Sequence, residues 1–451
     1  MGLLLDIGYL AASLLTLPWL IYRMVVRGDW QGLPFRLGFG LGEPLEASIW
    51  LHGSSAGEIA LLEPLVERLE RDLPGAPLVI SAYSSTGFTA ARKAYPRHRV
   101  IFFPLDLSGI VIRFLRHFDP RLVVIVESEF WPNFLLATQR RAIPLAVING
   151  KMSERSCRIH RRTRIVPFLL RRASIIAVQS EEHASRLYRL GVPAARVRVT
   201  GNMKYDTARP LWRPEETAEL RDALGYDQRN VVIIGGSLHD RENDILIDAF
   251  HTLAQRHSTA LIVVPRYPAD AGRIEQSVRD RGYEAVRKTD VDRGAKRAPG
   301  AGGVLVVDTV GELRALYAAA DIAFVGGSLF YRGSNKGGHN LMEPAILGLP
   351  VLFGPYNFSF KDTAEDLLEA HAGLLIHDGV ELEKKLEHLL SDQDARRRMG
   401  DRARKVVLSG QGATQRNYEL ITPLLRVPGE CLRVTPIKRT MPRAASDADS
   451  R

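Results

Sequence analysis

Acidic side chains follow aliphatic stretches at two points in the first half of the chain. Residues 51–58 read LHGSSAGE and lead from an apolar stretch into a helical pattern, so Glu58 falls in the first turn of a helix. A carboxylate there can act as a general base, and it can equally complement the helix dipole. The small residues Ser54, Ser55 and Gly57 would let a substrate approach the backbone closely. Glu58 is therefore the candidate base.

A second acidic pair, Glu127 and Glu129, comes at the end of the aliphatic residues 122–126. Residues two apart on a strand point to the same face, so the two carboxylates are predicted to lie side by side. Carboxylates beside an aliphatic strand are unfavourable without partners, which favours a functional role. A structural ion pair is the alternative.

Two further polar loops follow strand-like stretches of the same half. Ser85 and Thr86 stand in residues 81–87, where their hydroxyls either face the same rim or belong to an ordinary capped turn. Arg155 lies in residues 149–156, which supply mixed charges to that rim. These side chains are candidate substrate contacts.

The second half carries a glycine-rich loop between a buried strand and a helix, in residues 321–344, with Glu343 in the first helical turn. Backbone N–H groups at a helix start suit a phosphate, and Glu343 can accept hydrogen bonds from ribose hydroxyls. Such a loop alone is more often only a turn. Arg266 and residues 308–313 also follow strands, and a guanidinium binds phosphate in bidentate fashion. Together these signals indicate a nucleotide-sugar pocket, with a surface arginine as the alternative for Arg266.

The composition favours an anionic partner. A chain of 451 residues is long enough for two domains, and its net charge is +10. Nucleic acid, an acidic membrane and phosphorylated substrates would all fit this charge, but no nucleic-acid-binding motif is present, so no nucleic acid partner is predicted. Cys157 and Cys431 form no disulfide framework, which fits a reducing compartment.

Residues 7–22 carry no charge and are followed by Arg23 and Arg27. The run is shorter than the ~20 residues that span a bilayer, although neighbouring leucines and a snorkelling Arg23 could extend it. Basic residues on its C-terminal side favour a cytoplasmic location for the rest of the chain. We predict a membrane anchor at residues 1–26, either spanning or half-buried. A buried helix of the first domain is the alternative.

Aliphatic strands alternate with helices, which predicts parallel sheets covered on both faces. The fold class is α/β, with two facing doubly wound domains and a ligand cleft at the carboxyl ends of their strands. The polar stretch 206–229 is interpreted as a linker. Strands are predicted at residues 47–51, 77–81, 122–126, 145–148, 175–178, 231–235, 260–264, 304–307, 322–325 and 350–353. The predicted domains are 27–210 and 211–412, followed by a helix at 413–426 that returns to the first domain and a disordered basic tail at 427–451.

The motifs resemble those of the Kdo transferases of lipopolysaccharide assembly, which move 3-deoxy-D-manno-octulosonic acid (Kdo) from CMP-Kdo to a lipid A precursor. The resemblance extends over both predicted domains. It is carried by residues 55–58 (SAGE), 127–133 (ESEFWPN), 149 with 153–156 (SERS), 201–206 (GNMKYD), 265–266 (PR), 311–313 (GEL), 337–344 (GGHNLMEP) and 353–355 (FGP).

The resemblance implies an inverting two-domain glycosyltransferase of the GT-B type, held at the cytoplasmic face of the inner membrane by a single N-terminal anchor. It implies Glu58 as the base and Glu129, with Glu127 behind it, as the group that orients the acceptor or the base. For CMP-Kdo it implies Lys204, Ser237, Arg266, Val310, Gly311, Glu312, Leu313, Gly338, His339, Asn340 and Glu343. For the lipid A precursor it implies Ser54, Ser55, Gly57, Ser85, Thr86, Glu127 and Arg155. No Asp-x-Asp clamp is present, so neither a metal nor another cofactor is expected.

The chain departs from the family pattern at three places. Leu238 stands where the family usually has Thr, Tyr267 stands where it usually has His, and residues 331–336 form a short insertion. Two other functions stay open. One is another GT-B enzyme, a UDP-sugar transferase or an epimerase. In that case residues 310–313, which would contact the base, should bind uracil. The other is a non-catalytic, membrane-anchored, lipid-binding scaffold, in which the arginines of residues 158–172 would hold anionic headgroups.

Overall fold

The computed structural model describes residues 2, 5–7, 9, 32–209, 214–227, 229–333 and 337–425. The chain divides into two compact units: residues up to Gly201 together with those from Ala413 onward, and Asn202–Gly412. The predicted boundary lay after residue 210. The polar stretch 206–229 is not a plain linker, because its residues Ala208, Leu224 and Tyr226 pack into cores of the second unit.

The first unit contains a seven-stranded sheet in the order β3-β2-β1-β4-β5-β6-β7, with every pairing parallel. Its strands are β1 Ser48–Gly53, β2 Leu78–Ala82, β3 Arg99–Phe102, β4 Pro120–Val126, β5 Leu145–Gly150, β6 Ile175–Val178 and β7 Val197–Val199. Its helices are Leu33–Arg36, Ala56–Leu61, Glu63–Asp72, Ser85–Ala94, Ser108–Phe118, Pro132–Arg140, Glu154–Thr163, Ile165–Leu170, Glu181–Arg189 and Ala413–Ile421.

The second unit repeats the design with a seven-stranded parallel sheet in the order β10-β11-β9-β8-β12-β13-β14. Its strands are β8 Val231–Leu238, β9 Thr259–Pro265, β10 Ala285–Arg287, β11 Val304–Val306, β12 Ile322–Val325, β13 Val351–Phe353 and β14 Gly373–Leu375. Its helices are Lys204–Thr207, Pro214–Ala223, Arg241–Ala254, Ala271–Asp280, Lys288–Asp292, Leu313–Ala318, Met342–Ile346, Lys361–Glu369, Gly379–Ser391 and Gln393–Gly410.

The predicted α/β class with two parallel sheets is confirmed, and so is each predicted strand, within a few residues at its ends. All of these strands lie inside a sheet, where burial on both faces selects continuous aliphatic residues. The strands that the sequence analysis missed, β3, β7, β10 and β14, are the outermost strands of the two sheets. Edge strands are short and partly exposed. β3, β7 and β10 carry Arg99, Arg198 and Arg287, and β14 has only three residues, the first of them a glycine.

The helical pattern that contains Glu58 is interrupted in the structure. One helix ends at Leu61 and the next begins at Glu63. Pro64 lies in the first turn of the second helix, where its missing N–H is tolerated, but it could not continue the hydrogen bonds of the preceding helix.

The predicted anchor lies mostly outside the described residues, as does the tail at 427–451. Among the residues that the structure describes, no helix has both the length and the apolar character that crossing a membrane requires. The described residues near the N-terminus make polar contacts. Asp6 accepts hydrogen bonds from Ser108 N–H (2.9 Å) and Asn133 Nδ2 (2.9 Å), and the Tyr9 hydroxyl donates to Asp106 (2.8 Å).

Asp106 and Asn133 are the buried centre of these contacts. The Asp106 carboxyl accepts the backbone N–H groups of Asn133 (3.0 Å) and Phe134 (2.8 Å), and Asn133 Nδ2 also donates to the Asp106 carbonyl at 2.7 Å. Burial raises the pKa of Asp106 to about 6. The network therefore ties the start of the chain to the first unit by hydrogen bonds between buried groups.

Replacing Asn133 by Ala should destabilise the protein. The change removes both Nδ2 hydrogen bonds and leaves the Asp106 carbonyl without this partner, which we expect to lower the free energy of unfolding by ~2–3 kcal/mol. Urea denaturation followed by circular dichroism measures the change. Thr163→Ala, which loses one exposed hydrogen bond to the His160 carbonyl, is the control and should cost far less. Equal stability of the two variants would contradict the expected contribution of the Asn133 hydrogen bonds to the free energy of unfolding.

Candidate catalytic and donor-binding sites

Glu58 lies where the chain passes from β1 into the helix Ala56–Leu61. Its carboxyl accepts hydrogen bonds from the backbone N–H of Ser54 (2.8 Å) and from the Ser55 hydroxyl (2.9 Å). Ser55 Oγ in turn accepts the backbone N–H of Glu58 at 3.4 Å, so Ser55 caps the helix. Glu58 thus supports the helix start, and the same bonds hold its carboxyl in one position at the end of β1.

Three carboxylates influence one another at this end of the first sheet. Burial, together with the negative charges of Glu127 and Glu129, raises the pKa of Glu58 to about 7, against the hydrogen bonds from Ser54 and Ser55. Burial also raises the pKa of Glu129, and Glu127 adds to this shift. A carboxyl with a pKa near 7 gains and loses a proton easily at neutral pH, as a general base must.

The predicted projection of Glu127 and Glu129 from one strand is wrong. β4 ends at Val126, and Glu127 begins a turn with φ +62°. Its carboxyl lies 3.6 Å from Lys151 Nζ, so part of the ion-pair alternative is realised. A non-glycine residue in the left-handed region costs of order 1–3 kcal/mol and persists where its surroundings enforce it. A strained turn, rather than strand alternation, brings this pair close enough to affect Glu58.

The serine-rich loop before Glu58 is joined to the loop after β2. The backbone N–H groups of Tyr83 and Ser84 donate to the Ser54 carbonyl at 3.2 and 2.8 Å. Ser85 and Thr86 follow at the start of the next helix and are exposed. The structure therefore brings their segment against the Glu58 loop, as the sequence predicted.

Three other predicted contacts lie on the surface. Gly57 and Arg155 are exposed, and Val310 is 85% exposed. Gly311, next to Val310, adopts φ +97°, a conformation that favours glycine.

In the second unit, His239 after β8 meets His339 from the glycine-rich loop. Their Nε2 atoms are 2.9 Å apart, and the rings are within 8° of parallel. Burial lowers the pKa of both rings, to about 4 for His339, and the positive charges of Arg266 and Arg332 act in the same direction. Both rings are therefore neutral at pH 7, and one donates its proton to the other.

Arg266 follows β9, as predicted, and its side chain is exposed. Its backbone N–H donates to the Leu238 carbonyl at 2.7 Å, which fixes its position beside the loop after β8. Its guanidinium makes no hydrogen bond or ion pair with the part of the chain that the structure describes. It is therefore available for an anionic ligand.

Glu242, which the sequence analysis did not single out, organises this region. Its buried carboxyl accepts the backbone N–H groups of His239 (2.9 Å), Gly327 (2.7 Å), Ser328 (3.1 Å) and Leu329 (2.9 Å). These bonds fasten the loop after β8 to the loop after β12. The available signal was an acidic residue in the first turn of the helix after the first strand of the domain, the same placement that drew attention to Glu58.

Glu343 stands in the first turn of the helix Met342–Ile346, as predicted. Asn340 Nδ2 donates to its carboxyl at 3.2 Å, and Arg314 Nε lies 3.9 Å from it. Burial raises the pKa of Glu343, while Arg314 and Asn340 oppose the shift. The carboxyl is half-buried and held in place, as a hydrogen-bond acceptor for a ligand hydroxyl should be.

The glycines before this helix serve the packing of the chain. A side chain at Gly337 would come within 2.4 Å of the Tyr356 carbonyl, and one at Gly338 within 2.6 Å of Asn357 Oδ1. The Gly338 N–H donates to the Gly327 carbonyl at 2.7 Å. A neighbouring loop therefore already uses the Gly338 N–H as a donor.

Other predicted donor contacts have protein partners. Glu312 accepts hydrogen bonds from Thr309 and from Lys288 Nζ (3.3 Å). Lys204 belongs to the second unit, and its Nζ donates to the Ser359 carbonyl at 3.0 Å. A ligand would share these groups with the protein.

Two smaller points concern neighbouring residues. Ser237, near the end of β8, adopts φ +56° directly after Gly236.

Asp308 accepts hydrogen bonds from Thr289 N–H (3.0 Å) and the Thr289 hydroxyl (2.6 Å) rather than capping the following helix. Across the described ranges, no group of three or more His, Cys, Asp or Glu side chains is arranged to hold a metal ion.

The raised pKa of Glu58 predicts a pH-dependent effect on stability. The folded state binds the Glu58 proton more tightly than the unfolded state, whose pKa is near 4.5. The stabilisation is therefore present below the unfolded pKa and is lost as pH rises through about 7. Between about pH 4 and about pH 8, the free energy of unfolding should fall by of order 2–3 kcal/mol more in the wild type than in Glu58→Gln.

Urea denaturation across this pH range measures the difference. Glu63→Gln changes an exposed carboxylate in the next helix and should follow the wild type. Parallel curves for the wild type and Glu58→Gln would refute the raised pKa.

Comparisons with known proteins agree with the division of the chain. The sequence family described as "3-Deoxy-D-manno-octulosonic-acid transferase (kdotransferase)" matches residues 31–207, and the family "Glycosyl transferases group 1" matches residues 216–406. The 3-deoxy-D-manno-octulosonic acid transferase of Chlamydophila psittaci is 33% identical over 87% of this chain and 89% of its own length. That of Haemophilus influenzae is 29% identical over 88% of this chain and 92% of its own length.

Solved structures share the fold. A glycosyltransferase from Rickettsia africae and MurG from Acinetobacter baumannii each align with a TM-score of 0.55, over 84% of this chain and 99% of theirs, at 13% and 14% identity. The predicted two-domain GT-B class is thereby confirmed. Because the match to the Kdo transferases extends over both units, the chain belongs to the 3-deoxy-D-manno-octulosonic acid transferase family and is a glycosyltransferase.

Proposed function

We propose that this glycosyltransferase of lipopolysaccharide biosynthesis moves Kdo from CMP-Kdo onto a lipid A precursor and inverts the anomeric centre. The observation that carries the proposal is Glu58, a positioned carboxyl with a pKa of about 7, in a segment that matches the family. The names of the relatives support Kdo as the sugar.

In the proposed reaction, Glu58 removes the proton from an acceptor hydroxyl. The hydroxyl oxygen then forms a bond to the anomeric carbon of Kdo while the bond from that carbon to the CMP phosphate oxygen breaks. Burial, together with the charges of Glu127 and Glu129, keeps the pKa of Glu58 high, so that Glu58 is a stronger base than an ordinary carboxylate. The exposed hydroxyls of Ser85 and Thr86 would contact the acceptor.

The second unit would bind the donor. Arg266 has no partner among the described residues and can hold the phosphate as CMP leaves with its negative charge. The Glu343 carboxyl can accept hydrogen bonds from ribose hydroxyls. We propose that the positive charge of Arg266 stabilises the leaving group without a metal.

The proposed acceptor is a lipid, so we also propose that the enzyme acts at the cytoplasmic face of the inner membrane. Ile165 and Phe168 of the first unit are 38% and 42% exposed. They line a cavity of about 900 Å³ together with Arg161, Arg164 and Arg171. Apolar side chains among arginines suit an anionic bilayer surface.

Glu58→Gln should reduce turnover by roughly a hundredfold or more, because the amide keeps the shape and loses the base. Wild-type turnover should rise with pH and reach half its maximum near the Glu58 pKa of about 7, since only the ionised carboxyl accepts a proton. Mass spectrometry of product from CMP-Kdo and a tetraacylated lipid A precursor measures the rate. Glu63→Gln should retain wild-type turnover, and near-normal turnover of Glu58→Gln would refute the assignment.

Arg266→Ala and Glu343→Ala should each weaken CMP binding at least about tenfold, because each removes a charge-assisted hydrogen bond worth ~1.5–3 kcal/mol. Titration calorimetry measures the affinity. Arg256→Ala is the control, since Arg256 pairs with Glu387 (3.3 Å) and lies outside the site. Preference of the wild type for UDP over CMP would instead indicate a UDP-sugar enzyme.

A further inference from the structure

A cavity of about 660 Å³ in the second unit lies beside the His239–His339 pair. It is lined by His239, Asp240, Arg241, Phe330, Tyr331 and Arg332. Its walls combine two arginines with one carboxylate, and His239, which is neutral at pH 7, forms the side next to the histidine pair. The cavity therefore carries net positive charge.

The arginines of this cavity are only loosely engaged. Arg332 Nη1 lies 3.6 Å from Asp240 Oδ2, and the Arg332 and Asp240 side chains are 33% and 74% exposed. An exposed ion pair at this distance is weak and exchanges readily with a competing anion. The Arg241 guanidinium rests on the Phe330 ring, 4.9 Å from its centroid. Both guanidinium groups therefore keep donors for a ligand.

The position of the cavity relative to the donor residues is informative. Glu343 is bonded to Asn340, and Asn340 follows His339, which touches His239. His239 is a wall of the cavity, so the histidine pair connects the segment that carries Glu343 to the cavity. Arg266 and Arg332 both act on the two rings, as the lowered pKa values of the histidines reflect. Along this chain of contacts, Glu343 suits a ribose, Arg266 beside the loop after β8 suits a phosphate, and the cavity presents Arg332.

The chemistry of the proposed donor matches this order. In a 2-ulosonic acid the anomeric carbon carries both the phosphate ester and the carboxylate, so the carboxylate lies next to the phosphate on the side away from the ribose. Arginine pairs with a carboxylate through two parallel hydrogen bonds. We propose that this cavity binds the carboxylate of the donor sugar acid and that Arg332 is its principal contact.

This inference rests on the proposed function and adds a determinant of donor specificity to it. Arg332 stands in residues 331–336, the segment in which the sequence departs from the family pattern. Its carboxylate recognition would separate a sugar acid from a neutral sugar on the same nucleotide.

The test compares Arg332→Gln and Arg332→Lys with the wild type in the full-length enzyme. Arg332→Gln should raise the KM for CMP-Kdo about tenfold or more, as expected for a lost charge-assisted contact, with a smaller change in kcat. Its affinity for CMP alone, measured by calorimetry, should be unchanged, because CMP has no carboxylate. Arg332→Lys should recover part of the KM, since lysine keeps the charge and loses the bidentate geometry.

The control is Arg256→Gln, which removes an exposed, ion-paired arginine beyond the other end of the helix Arg241–Ala254 and should leave both quantities unchanged. An unchanged KM for Arg332→Gln, in an enzyme that transfers Kdo, overturns the inference and leaves the proposed function standing. Equal weakening of CMP and CMP-Kdo also overturns it, because Arg332 would then hold the phosphate. A wild type that binds CMP but transfers no Kdo refutes the proposed function, and the inference falls with it.

Discussion

Parallel strand pairing is the constraint on which the rest of this structure depends. Every pairing in the two sheets is parallel, so within each sheet the carboxyl ends of all strands lie on the same side. The strand interiors are buried on both faces and cannot keep unpaired polar groups without a large desolvation cost. The polar side chains of the candidate sites therefore lie in the loops that follow these carboxyl ends. Glu58, Glu127, Arg266 and His239 all stand within a few residues of a strand end.

The two units use a buried carboxylate on this side of the sheet in opposite ways. Glu242 accepts four backbone N–H groups, so its oxygens are committed to holding two loops together. Glu58 accepts one backbone N–H and one hydroxyl, and two other carboxylates stand nearby. Burial, which these two donors only partly offset, and the two neighbouring negative charges raise its pKa to about 7. The number of donors around each carboxylate, rather than its residue type, separates the structural role of Glu242 from the reactive role that we propose for Glu58.

In the second unit, two neutral histidines lie in contact with each other, and charged arginines act on both. The close contact of His239 and His339 is possible because neither ring is charged at neutral pH. The arginines remain charged, and Arg266 and Arg332 stand where they lower the pKa of both rings. A stacked, uncharged pair beside positive side chains would accommodate the anionic groups of the donor that we propose.

The sequence by itself determined the α/β class, the inner strands and the loops that carry Glu58, Arg266 and Glu343, because these depend on local periodicity and on residues next to a strand end. The tertiary structure decided the rest. The edge strands β3, β7, β10 and β14 are defined by their neighbours in the sheet and not by an aliphatic pattern of their own. The turn at Glu127 overrides strand alternation. Glu242 meets backbone groups more than eighty residues away, and Arg332, from the loop after another strand, lines the same cavity as His239. Contacts between residues so far apart in sequence leave no local signature, since their energy is gained only after the chain has folded.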